Sequence, residues 1–281
     1  MRDEEGVRFL QWCLPRLHLR WPGYRKVRRQ VYQRLKRRMN ALGLSSLATY
    51  REYLMAHPEE WPMLETLCRI HISRFYRDRG VFQVLQHEVI PQLAAMVLSQ
   101  GEHELRCWSI GCAAGEEAYT LAIMWHQALA SSFPSLAIRI VGTDADPQAL
   151  ERAKKACYPA SSLKDLPTEW REAAFEILNK ECCLRRLYRD SVIFLQQDLR
   201  YECPDQTFHM ILCRYVVFTY FDEALQQETL HRILARLLPS GALIIGQTES
   251  LLADSQGLII PWPAQLRIYR KIDESARSEA T

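Results

Sequence analysis

The stretch Leu105 to Tyr119, LRCWSIGCAAGEEAY in one-letter code, constrains this chain more than any other. It reads as a short buried strand, a turn of small residues, and a helix running on to about Ala130. A second strand, Ala137 to Val141, follows and ends in Gly142-Thr143-Asp144. Strand, glycine turn, helix, strand and acid in this order form the layout of a site for a nucleoside-containing cofactor. The turn lets backbone approach the ligand, and a carboxylate at the end of the second strand can accept both hydroxyls of a ribose.

Charge narrows the choice of cofactor. Free N–H groups and the helix dipole draw a pyrophosphate to the N-terminus of the first helix of a dinucleotide site. Here that position holds Glu116 and Glu117, which would repel it. Gly111 and Gly115 follow G-x-x-x-G and not G-x-G-x-x-G. Asp144 also lies further along than the roughly 20 residues of the dinucleotide fingerprint. S-adenosylmethionine has a sulfonium, an ammonium, a ribose diol and no phosphate, and it suits this charge pattern. A plain glycine turn bordered by surface glutamates is the alternative; it leaves the matching carboxylate without a purpose.

A chain of 281 residues allows one large domain or two ordinary ones. No apolar run reaches the roughly 18 residues that span a bilayer, so no integral membrane segment is expected. The acidic start, Met1-Arg2-Asp3-Glu4-Glu5, is not that of a signal peptide. The nine cysteines are odd in number, lack a paired C-x-x-C, and sit mostly in apolar runs such as Ile211-Leu212-Cys213. They are expected to be reduced, buried thiols of a cytoplasmic protein, with no metal site.

The net charge of +3 hides an asymmetry: no Asp or Glu occurs between Glu5 and Glu52. That interval carries Arg25, Lys26, Arg28, Arg29, Arg34, Lys36, Arg37 and Arg38, among other bases. From Tyr24 to Leu42 the pattern is helical, with Val27, Val31, Leu35 and Met39 on one face. A single basic helix is ordinarily a solvated face. With no acid to balance it, docking of an anionic partner is the expectation, and charge alone does not choose among acidic protein, nucleic acid and membrane.

Further short helices are expected at Leu47 to Ala56, capped by Ser45 or Ser46, at Glu60 to about His71, and at Val81 to Val97, interrupted by Pro91, which begins a new turn or kink. Later strands are expected at Ser191 to Leu195, Thr207 to Arg214, Ala242 to Gly246 and, near a sheet edge, Gln265 to Lys271, with a long helix from Asp222 to Leu238. This divides the chain into a helical domain, 1–98, and an α/β domain, 99–281, whose last residues, 272–281, are expected to be disordered. Gly115, Asp144, Asp198 and Arg214 would share one crevice at the carboxyl ends of the strands.

These residues also carry a resemblance. The chain resembles the chemotaxis-receptor glutamate methyltransferases, the CheR family, over roughly Tyr24 to Lys271. The family's basic helix looks like Tyr24 to Met39, and its N-x-T-x-F-F-R motif looks like His71 to Arg77. Its W-S-x-x-C-S-x-G-E-E-P-Y-S motif looks like Trp108 to Thr120, and its S-D-I-D motif looks like Thr143 to Asp146. Its F-D-x-I-x-C-R-N-V-x-I-Y-F-D motif looks like Phe208 to Asp222.

The resemblance implies an all-α N-terminal domain, a class I Rossmann-like S-adenosylmethionine methyltransferase domain, and a small β-subdomain inserted at about 159–191. It implies that Glu117 meets the methionine part, that Asp144 takes the ribose hydroxyls, and that Asp198 and Leu199 lie beside the adenine. Gly111 would belong to the cofactor turn. His71, Ser73 and Arg77 would lie against the cofactor from the motif ahead of it, and Arg214 and Tyr215 from the strand end. Arg77 and Tyr220 would be catalytic, and Arg25, Arg28, Arg29, Arg37 and Arg38 would dock an acidic helical surface of a chemoreceptor-like protein.

Three departures surround the acceptor pocket: Tyr215 where the family has asparagine, His71 where it has asparagine, and one extra residue before Tyr220. No glycine occurs from Leu163 to Ser191, so the glycine-rich loop that binds a receptor tail in some members is not matched. Another methyl acceptor, or a sensor that binds the cofactor without transfer, stays open at this level. The D/N-P-P-[YF] run of amino-methylating enzymes is absent, which points away from a DNA N-methyltransferase.

Overall fold

The computed structural model describes residues 3–252, 257–262 and 266–273. Of the expected strand from Gln265 to Lys271, Gln265 lies outside the described residues and the strand itself runs Ile268–Lys271; all but the first two residues of the expected disordered tail also lie outside the described residues. Two compact units divide the chain: residues up to His71 together with Thr219–Gln226, and Ile72–Phe218 with the residues after Gln226.

The first unit is helical. Helices Asp3–Cys13, Arg28–Ala41, Leu47–Ala56 and Trp61–Cys68 bury one apolar cluster containing Leu10, Leu14, Val31, Leu35, Tyr50, Leu54 and Leu64. The helix Leu47–Ala56 opens on a capping box: Ser46 Oγ accepts the Thr49 N–H at 3.1 Å, and Thr49 Oγ1 accepts the Ser46 N–H at 3.3 Å. Residues Thr219–Gln226 join this unit through a bridge between Leu19 and Phe221 and through Tyr24 against Tyr220, with ring centroids 5.1 Å apart.

The second unit is a seven-stranded sheet with helices around it. Its strands and those of its insert are β1 (Glu104–Ile110), β2 (Ala137–Asp144), β3 (Cys157–Tyr158), β4 (Phe175–Leu178), β5 (Glu181–Leu184), β6 (Val192–Gln196), β7 (Phe208–Cys213), β8 (Leu237–Ile245), β9 (Ile259–Pro261) and β10 (Ile268–Lys271). The main sheet runs β6-β2-β1-β7-β8-β10-β9. β6, β2, β1, β7 and β8 are parallel neighbours, whereas β10 is antiparallel to both β8 and β9. The near-continuous apolar runs of β1 and β7 follow from burial on both faces. A separate sheet, β3-β5-β4, is the insert.

Two expectations need correction. The helical region does not end at 98: the helix Arg79–Ser99 buries Val81, Phe82, Leu85, Ile90, Leu93 and Val97 in the same core as the sheet, so the first unit stops at His71. At 21 residues and mean hydropathy 1.2, this is also the described helix whose length and composition suit a bilayer, and here its apolar face packs into that core. Pro91 begins a new turn of it, one of the two outcomes expected: a wide turn over Leu85–Val89 leads directly into Ile90–Ser99, with Pro91 in the first turn of that segment. Finally, the cysteines are not all free: Cys157 and Cys183 are joined across β3 and β5. Strand register places the two opposite each other, a proximity invisible to spacing along the chain.

Candidate active site

Three residues of left-handed backbone make the turn after β1: Gly111, Ala113 and Gly115, with φ of 63°, 50° and 88°. A Cβ at Gly115 would come within 2.9 Å of the Phe194 ring, so the turn packs too closely on β6 for a side chain there. Cys112 donates its N–H to the Thr143 carbonyl at 2.9 Å, which ties the turn to the end of β2. Asp144, only 8% exposed, then accepts the Ala113 N–H at 2.9 Å with one oxygen and the Asp146 N–H at 2.8 Å with the other. The Asp144 carbonyl accepts the Gln197 N–H at 3.1 Å, bringing the segment after β6 alongside.

The field in this turn is negative. Glu116 is buried, and Glu117 accepts the Ser109 hydroxyl at 2.8 Å. Burial pushes the Cys112 thiol well above its ordinary pKa, and the carboxylates of Asp144, Glu117 and Glu116 push it further in the same direction. Such a site suits a cationic ligand and repels a pyrophosphate.

Arg214, at the end of β7, is the cation inside this ring of acids. Its side chain is 2% exposed, and it donates to Glu117 at 3.0 Å, to Asp78 at 2.5 Å and to the Arg77 carbonyl at 3.0 Å. Its buried Nε has no hydrogen-bond partner among the described atoms. Tyr215 follows in left-handed backbone, φ 59°, with its hydroxyl donating to Asp78 at 2.6 Å and its N–H donating to the buried Glu249 at 2.9 Å. Burial and Asp78 raise the Tyr215 pKa, so the hydroxyl stays protonated. Arg77 lies over the Tyr215 ring at 3.9 Å and donates to the Ile72 carbonyl at 2.7 Å. The segment is pinned by the Tyr76 N–H on Thr120 at 3.0 Å and by the Phe75 N–H on the Ser162 carbonyl at 3.2 Å.

The structure thus brings together Gly111, Glu117, Asp144, Arg77, Arg214 and Tyr215. Ser73 precedes the pinned Phe75 in the same segment. Asp198 is held by Arg200, whose Nε donates to it at 2.8 Å, and Leu199 beside it is buried. His71 and Tyr220 belong to the first unit, where Tyr220 packs against Tyr24. Asp78, Ser109 and Glu249 were not among the expected residues. Asp78 follows the R of the N-x-T-x-F-F-R-like run and holds Arg214 and Tyr215.

The basic helix is less uniform than its sequence. Arg28 makes two bonds of 2.9 Å to Asp3, and Arg38 pairs with the buried Glu60 at 2.6 Å. Acids from other helices therefore balance these two, and neither presents a free guanidinium for docking. Arg25, Arg29 and Arg37 are exposed. No group of three or more potential metal ligands occurs among the described residues.

Comparison with known proteins gives the family. Residues 71–262 match the family profile "CheR methyltransferase, SAM binding domain" and residues 26–65 match "CheR methyltransferase, all-alpha domain". The chain is 31% identical over 227 residues to chemotaxis protein methyltransferase 2 of Pseudomonas aeruginosa, covering 78% of each. It is 30% identical over 187 residues to the chemotaxis protein methyltransferase of Listeria innocua, covering 66% of this chain and 68% of that one. A 104.1 kDa uncharacterized protein of Rhodobacter capsulatus is 30% identical over 223 residues, and there the match spans 79% of this chain but only 23% of the relative. The N-methyltransferase NodS of Bradyrhizobium japonicum, solved with S-adenosyl-L-homocysteine, is 16% identical over 65% of this chain and 85% of its own, with a TM-score of 0.36. With both of its domain profiles matched in order, the chain belongs to the CheR methyltransferase family and carries that family's S-adenosylmethionine-binding domain.

Proposed function

We propose that the chain acts in the cytoplasm and transfers the methyl group of S-adenosylmethionine to glutamate side-chain carboxylates of a chemoreceptor-like signalling protein. The observation that carries this reading is the acid-lined turn, in which Asp144 binds the Ala113 N–H, Glu116 and Glu117 follow it, and the buried Arg214 pairs with Glu117. The residues fit the cofactor group by group. Asp144 would accept the ribose hydroxyls and Glu117 would face the ammonium. The unpartnered Nε of Arg214 would be offered to the methionine carboxylate. Asp198 and Leu199 would border the adenine. His71 and Ser73 are assigned to the cofactor by their motif. The bound cofactor supplies an electrophilic methyl group.

The chemistry asks little more of the chain. A glutamate with its ordinary pKa of about 4.3 is ionised near neutrality and needs no general base. The work left to the protein is alignment and partial desolvation of that carboxylate. Arg77 stacks on Tyr215 and is fixed at Ile72, which supports a role in aiming the carboxylate. Tyr220 is assigned a catalytic role by its motif. The exposed Arg25, Arg29 and Arg37 would meet an acidic helical surface of the acceptor. The test is to supply labelled S-adenosylmethionine to receptor-containing membranes and to a receptor-free lysate. Label confined to the receptor supports the proposal, and label in nucleic acid or small molecules favours another acceptor.

A further inference from the structure

The Cys157–Cys183 bond is not needed for the chemistry above, yet it lies one residue from the cofactor turn. Cys157 is followed by Tyr158, which is 3% exposed and donates its hydroxyl to the Ala114 carbonyl at 2.7 Å. Ala114 sits between Ala113, whose N–H is bound by Asp144, and Gly115. The Tyr158 ring also meets the edge of Phe75 at 4.8 Å, in the segment that leads to Arg77. β3, which presents this tyrosine, is only two residues long and pairs with β5 alone. The neighbouring backbone bond is the Leu184 N–H to the Ala156 carbonyl at 2.9 Å. So short a strand has few bonds to hold it, and the covalent link supplies what its ladder lacks.

We propose that Cys157 and Cys183 form a thiol-modification site whose oxidised form braces the cofactor turn through Tyr158, and whose reduction loosens that turn. The inference rests on the turn holding S-adenosylmethionine. Cys157 is partly exposed and Cys183 is buried, so attack falls on the Cys157 sulfur. A thiolate of a dithiol reductant bonds to that sulfur and releases Cys183 as a thiolate. The second thiolate of the reductant then displaces Cys157. Two electrons and two protons end on the cysteine pair, and the reductant leaves as its own disulfide. A disulfide oxidant runs the sequence backwards. Cys182, free and pointing to the other face of β5, takes no part.

The test compares the full chain after oxidation and after dithiothreitol treatment. Thiol titration should find two more thiols in the reduced form; the same count in both forms would overturn the proposal. In the ligand-free protein, amide exchange at residues 111–116 should quicken on reduction. By calorimetry, the Kd for S-adenosylhomocysteine should rise at least threefold. Cys182→Ser should respond as the parent does, whereas Tyr158→Phe should bind weakly in both states and not respond. Unchanged exchange at the turn, or a full response in Tyr158→Phe, would overturn the brace. If neither form binds S-adenosylhomocysteine, the cofactor assignment fails, and amide exchange alone still decides the brace. The comparison needs no cysteine variant that must fold.

Discussion

Asp144 does two things at once: it fixes the turn through Ala113 and keeps a buried carboxylate at the end of β2. Replacing it with alanine should weaken S-adenosylhomocysteine binding by about 1.5–3 kcal/mol, the range for a hydrogen bond to a charged group. Calorimetry showing wild-type affinity would remove Asp144 from the site. Arg77 and Tyr220 make a different prediction. Arg77→Ala and Tyr220→Phe should lower turnover while shifting the melting temperature little. A variant that melts many degrees earlier and still transfers methyl normally would have only a packing role. The positions of Glu117 and Asp144 were legible because a strand end and a helix start are local events. The partners of Arg214 were not: Asp78 lies 136 residues away and Glu117 lies 97, and only the folded sheet brings them together.

At the scale of elements, the basic helix Arg28–Ala41 separates into two sets of charges. Arg38, half-buried, is tied to a buried acid. Glu60 is 4% exposed and is held by Arg38 and by the Tyr50 hydroxyl at 2.9 Å. Arg38→Ala leaves that carboxylate without its cation and should cost about 1–3 kcal/mol of stability, measured by denaturant unfolding. Arg29 and Arg37 belong to the surface. Reversing both charges should leave stability nearly unchanged and raise the apparent KM for the protein acceptor, with turnover at saturation preserved. That effect should fade above about 0.15 M salt. A KM that ignores both the reversal and the salt would reduce the helix to a solvated face. The periodicity of Val31, Leu35 and Met39 made the helix legible, but the lack of nearby acids in sequence overstated its free charge, because Asp3 and Glu60 arrive from other helices. The strand β9 was missed for a similar reason: three residues make no periodic signal.

For the whole molecule, the parallel sheet was legible from apolar runs ending in functional residues. The limits of the units were not, because the apolar helix Arg79–Ser99 reads like its helical predecessors and declares its allegiance only by packing under the sheet. The sheet also carries an acid liability. His209 in β7 is fully buried and accepts the Arg106 N–H at 3.1 Å. Burial, then the charge of Arg106, lowers its pKa from 6.5 to about 4. The folded form therefore stays neutral where the unfolded form takes up a proton. Stability is complete above the unfolded value and falls as pH drops from 6.5 toward 4, by about 3 kcal/mol in all. His209→Gln should flatten the slope of unfolding free energy across that window, and an unchanged slope would assign the acid loss to other groups.

The kind of bond the enzyme makes distinguishes a carboxyl methyltransferase from every other methyltransferase class. The most direct measurement is to label the acceptor with methyl-tritiated S-adenosylmethionine, isolate the protein fraction, and expose it to mild base. A glutamate methyl ester should release its label as volatile methanol within the base treatment, and the Asp144→Ala enzyme should leave far less label to release. Label that stays on the protein through base, as on a methylated amine, would contradict the account.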